Sequence, residues 1–322
     1  MITIHSAVLH QEAQTQLGQV VSPKRLVLIH TAIALGASLL MTALNYFFHL
    51  QIEQTGGLSG MGLRSVLATV QSVLELAVMV LLPFWEIGLL YAALGWARGE
   101  SAHFLDLTEG FRRFGAVLAY RLLSTMVFLA LAFAVLNICS TLYMLTPFSN
   151  DLAEMLYPIM QPNATAEQVE AMLTPEFLKN VTGSMLPLLI FSGVAYAVAA
   201  IPLFYRLRLS QYILMDGEKA GAAMLQSLHL TKKNSLQLVK LDLHFWWYYL
   251  LMGLCVVISF GDTLLPLLGI SLPISQELGY FLFYLAGALC QGVLLWQCQA
   301  KVMTTYCLGY EAFLPPVRTV DA

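Results

Sequence analysis

Six apolar stretches, each close to the length a helix needs to cross a bilayer, constrain this chain more than any other feature. They run over Leu26–Leu50, Ser72–Trp96, Ala116–Leu145, Met185–Phe204, Phe245–Phe260 and Leu278–Met303. About 20 residues of helix cross ~30 Å of hydrocarbon, and the fifth stretch reaches that length only if flanking residues join it. Backbone groups inside lipid must be satisfied within the segment, so each stretch is expected as a helix. The fold expected is an all-α, polytopic membrane protein with six transmembrane helices, in which two long helical hairpins are joined by cytoplasmic amphipathic elbow helices.

Composition agrees. Apolar residues make up 58% of 322 positions and charged residues 11%, with a mean hydropathy of +0.73; soluble domains carry about 25% charged residues. Without a long polar block, the expectation is a single membrane domain over 1–322. Residues 1–25 would form a cytoplasmic arm, 146–183 an extracytoplasmic amphipathic loop and 205–244 a cytoplasmic elbow. Met1–Gln19 holds no Lys or Arg, and the run from Leu26 exceeds a signal-peptide h-region, so the first helix is expected to stay in the chain. A net charge of −3 and the lack of a basic tail argue against nucleic acid. The five cysteines form no C-x-x-C pair and read as small buried hydrophobes.

Charge sets the orientation. Of sixteen Lys and Arg, all but Arg64 and Lys179 fall in segments on one side of the six crossings. By the positive-inside rule both termini are expected in the cytoplasm of a bacterial cell. The largest outside piece, Thr146–Gly183, is acidic, and Leu152, Met155, Leu156 and Ile159 follow helical spacing. It is expected to lie on the outer interface, with helix starts at Thr165/Gln168 and Thr174-Pro175.

Two parts of the chain share a layout. Pro83 precedes Gly99-Glu100, then Arg112-Arg113 and Arg121; Pro202 precedes Gly217-Glu218, then Lys232-Lys233 and Lys240. The Pro-to-Gly steps are 16 and 15 residues and the Gly-to-basic-pair steps 13 and 15. Short amphipathic stretches follow each glycine, marked by Phe104, Leu107 and Phe111 and by Ala222, Leu225 and Leu228. They are read as elbows along the inner headgroups. Arg112, Arg113, Lys232, Lys233, Trp246 and Trp247 are the candidate lipid-headgroup contacts, the two tryptophans as interfacial anchors.

Three passages carry a family resemblance. Arg98-Gly99-Glu100 leads to Phe104-x-Asp106-Leu107 and Phe111-Arg112-Arg113-Phe114-Gly115. Ser227 stands seven residues before Asn234, ahead of Leu241-Asp242-Leu243-His244-Phe245-Trp246-Trp247. Gly261-Asp262 precedes Leu264-Leu265-Pro266. On these the chain resembles an uncharacterised family of Gram-positive bacterial membrane proteins, domain of unknown function nine-seven-five. Thr231 and Lys233 stand where that family usually carries Met and Gly. The resemblance implies a bacterial membrane topology and lends no activity.

Chemistry is sparse. H-E-x-x-H, G-x-S-x-G and P-loop motifs are missing, so no enzyme, metal site or cofactor is expected. The singular residue is Glu86, three positions after Pro83 inside an apolar helix. A lone ionised carboxylate in hydrocarbon costs several kcal/mol, so it protonates, finds a cation or faces water. Arg121 and Arg206 are its candidate partners. The expected role is a non-enzymatic membrane protein that organises lipid or partner proteins in the envelope. The alternative is a permease for a small solute or lipid that uses Glu86.

Overall fold

A computed structural model describes residues 6–20, 23–54, 58–160, 174–232, 234–267 and 276–314. Lys233, the expected helix start at Thr165/Gln168, and residues 161–173 of the acidic outside loop lie outside the described residues. Among those described the structure is helical, with no strand. In chain order the helices are α1 (Ser6–Gln19), α2 (Pro23–Gln54), α3 (Leu58–Ala97), a 3-10 helix (Phe104–Thr108), α4 (Glu109–Arg112), α5 (Phe114–Tyr143) and α6 (Pro147–Met160). They continue with α7 (Pro175–Leu207), α8 (Ser210–Met215), α9 (Ala220–Thr231), α10 (Ser235–His244), α11 (Trp246–Ser259), α12 (Gly261–Leu267) and α13 (Gln276–Phe313).

Four of the six apolar stretches lie wholly within one of these helices, and Ala116–Leu145 and Phe245–Phe260 overrun α5 and α11 by one or two residues at an end. Among the described residues, five helical segments are long and apolar enough to cross a membrane: Pro23–Leu44, Ser65–Ala97, Phe114–Tyr143, Asn180–Met215 and Leu278–Phe313. A sixth span results if α10 and α11, which meet at a 65° bend, count as one. These helices turn large apolar side chains outward: Met79, Met126, Leu129, Phe133 and Val198 are each at least 66% exposed. An apolar surface on that scale fits hydrocarbon rather than water. The protein is an all-α, multi-pass membrane protein.

The described residues cluster into two compact units, one drawn from Met1–Leu118 with Leu209–Ala322 and the other from Ala119–Arg208. In the second unit α6 packs along α7, and the Tyr143 hydroxyl lies within hydrogen-bond reach of the Phe148 and Ser184 carbonyls, at 3.0 and 2.8 Å. α7 starts where its sequence signals place it. Thr174 accepts a bond from the Phe177 amide at 3.2 Å, and Pro175 occupies the first helical turn.

In the first unit α13 is the central post, packed by α1, α2, α3 and α11. Trp85 ties α3 to α2, its indole donating to the His30 carbonyl at 3.2 Å and stacking on the His30 ring. The stretch expected as a cytoplasmic arm holds α1, which packs on α13, α3 and α10 and buries Ala13 completely.

The first elbow differs from a simple amphipathic helix lying on headgroups. Leu107 is wholly buried, and the 3-10 helix and α4 sit directly on the α3 backbone. Two glycines permit this. A Cβ at Gly88 would come within 1.9 Å of the Leu107 carbonyl oxygen, and one at Gly110 within 2.0 Å of the Phe84 carbonyl oxygen. Phe104, Leu105 and Phe111 remain outward.

Candidate functional site

The repeated Gly-Glu turns build the site. α3 and α8 both end in a glycine with positive φ, Gly99 at 77° and Gly217 at 105°. At the first, Glu100 N–H donates to the Gly95 carbonyl (2.8 Å) and Gly99 N–H to Trp96 (3.1 Å). At the second, Glu218 donates to Ile213 (3.4 Å) and Gly217 to Leu214 (3.2 Å). The pattern is the same Schellman cap twice, and a residue without a Cβ meets the left-handed conformation at least cost.

The residues just before the two glycines, Arg98 and Asp216, meet. Arg98 Nη2 donates to Asp216 Oδ1 at 2.8 Å and Arg98 Nε to Glu311 Oε1 at 2.7 Å. Tyr310 O–H donates to Asp216 Oδ2 at 2.6 Å, and its ring stacks on Tyr212. One guanidinium thus joins the C-terminal ends of α3, α8 and α13. Burial pulls the Arg98 pKa down, but the hydrogen bonds and charges of Asp216 and Glu311 outweigh it and hold the group above its ordinary value.

Two further clusters stand in the same unit. Arg113 Nε donates to Glu109 Oε1 at 3.0 Å, and its Nη1 to the Leu214 and Met215 carbonyls at 3.3 and 2.8 Å. A cation on the last carbonyls of α8 satisfies groups the helix leaves without an internal donor and complements its dipole. Arg112 pairs with the same Glu109 at 3.1 Å from an outward position. On α10, Asp242 accepts from the Tyr306 hydroxyl and, at 3.3 Å, from Tyr249; the two phenol oxygens lie 2.6 Å apart. Nearby, His10 of α1 meets His244 edge-on at 5.0 Å. Burial, then Lys301, then His244 lower the His10 pKa.

The residues singled out by sequence fall as follows. Glu86 is exposed on α3, between buried Phe84 and buried Ile87, in the first unit. Arg121, whose carbonyl accepts from the Ser124 hydroxyl, and Arg206, in the last turn of α7, are half-buried and belong to the second. Arg113 is committed to Glu109 and the end of α8. Lys232 is exposed just after α9, and Trp246 and Trp247 face outward at the α10–α11 bend. Among the described residues no three His, Cys, Asp or Glu side chains converge as a metal cluster would require.

Sequence reasoning passed over the Arg98–Asp216–Glu311–Tyr310 network. Its signal was present: the residues just before the two Gly-Glu pairs, Arg98 and Asp216, carry opposite charge. The geometry makes a clamp, in which carboxylates accept from a guanidinium and phenols and hold helix ends together. Compared with family models, curated proteins and solved structures, the chain matches none.

Proposed function

We propose that this is a non-enzymatic protein of the bacterial cytoplasmic membrane, with both termini cytoplasmic, that organises lipid or partner proteins in the envelope. The observation that carries the reading is where the charge goes. Arg98, Arg113, Glu109, Asp216, Asp242 and Glu311 are engaged with one another, with tyrosines and with helix ends. Those bonds lock helices into a frame, while the apolar surface faces outward. The excess of Lys and Arg on one side of the crossings supports the orientation.

Untargeted lipid and metabolite profiling of a deletion strain, alongside crosslinked partner capture, tests this. Altered membrane lipid or a specific captured complex is the expected outcome. A single-solute phenotype that Glu86→Gln reproduces at normal protein level would replace this reading with the permease.

A further inference from the structure

We propose that α10 is a headgroup-level helix whose outward face, formed by Leu236, Lys240 and Leu243, is seated in an anionic lipid leaflet. The inference deepens the membrane reading above and rests on it.

α10 has two sides. Gln237, Leu238 and Leu241 are buried, and Phe245, at the bend, is wholly buried. The opposite side carries Leu236 at 67% and Leu243 at 69% exposure, with exposed Lys240 between them at helical spacing. This outward face runs on across the bend into Trp246, Leu250 and Leu254 of α11, each more than half exposed. The apolar outward surface of α11 therefore continues onto α10.

The 65° bend explains why the extension meets headgroups rather than more hydrocarbon. With α11 along the membrane normal, α10 leans close to the membrane plane. Two leucines then dip below the headgroups, and the Lys240 stem reaches back to place its ammonium at phosphate level. The charge balance of that face selects the lipid. Asp242 is held by Tyr306 and Tyr249, and His244 faces His10. With Asp242 turned to those tyrosines, Lys240 is the charged side chain that α10 presents outward among the described residues, so the face is cationic and apolar together, complementary to an anionic leaflet.

Site-directed spin labelling in reconstituted vesicles tests this. Leu236→Cys, Leu243→Cys and, on α11, Leu254→Cys are labelled separately in full-length protein carrying Cys290→Ala and Cys298→Ala. The vesicles are phosphatidylcholine with or without phosphatidylglycerol. Labels at 236 and 243 should collide more with oxygen than with a water-soluble nickel chelate, at shallower depth than the label at 254. Chelate-dominated collisions at 236 and 243, with 254 still in lipid, overturn the proposal and spare the membrane reading. Chelate-dominated collisions at all three overturn both. Dipolar broadening at 236 or 243 shows a second copy on the face and overturns the lipid assignment. In the same vesicles, Lys240→Gln should lower the enrichment of spin-labelled phosphatidylglycerol over phosphatidylcholine beside the label at 243 by about two- to fivefold; an unchanged local enrichment overturns the anionic part.

Discussion

Gly88 and Gly110 show how much a single hydrogen can decide. Each presses its Cα against a backbone carbonyl of the facing segment, which has no side-chain freedom with which to yield. Gly88→Ala and Gly110→Ala should each lower stability in detergent unfolding by about 1–3 kcal/mol. Gly221→Ala on α9 meets no atom within 4 Å, and should be neutral or stabilising by up to about 1 kcal/mol. His10 gives a second test at this scale. Its folded pKa is below the ordinary value of 6.5, through burial, Lys301 and His244. The docked helix disfavours the proton, so His10 supports docking fully above about pH 6.5 and progressively less as pH falls through its folded pKa. Protease sensitivity of α1 should rise between pH 7.5 and pH 5, and His10→Leu should flatten that response.

Elements are joined at their ends. The two Schellman caps project Arg98 and Asp216 from the C-terminal ends of α3 and α8, and α13 supplies Tyr310 and Glu311 to the same cluster. The pair is partly exposed, with side chains 38% and 25% accessible, which keeps its worth modest. A double-mutant cycle on Arg98→Met and Asp216→Asn should return a coupling of about 1 kcal/mol. Strictly additive losses would show that the two caps are neighbours without being joined. The repeat was legible here as spacing and as the Gly-Glu pairs. That the preceding residues would touch was not, because the sequence gives no distance between two helix ends 118 residues apart.

For the whole molecule, the orientation read from charge predicts that reporter fusions at Arg112 and Lys232 lie on one side of the membrane and a fusion at Thr165 on the other. Finding Lys232 and Thr165 in the same compartment would require redrawing the crossings. The clearest departure from a sequence reading is at the first elbow. Expected as an amphipathic helix along the headgroups, it is a short 3-10 helix and one α-turn pressed into α3.

Sequence alone determined that the chain is helical and membrane-embedded, and where its long helices run. Those properties depend on local hydropathy and on hydrogen bonds closed within each helix, quantities that belong to consecutive residues. Tertiary structure alone decided which charges are partnered, which glycines carry backbone against backbone, and which face of α10 remains outward. Each of these depends on the approach of groups far apart in the chain, and an approach of a few ångströms is set by packing rather than by the order of residues.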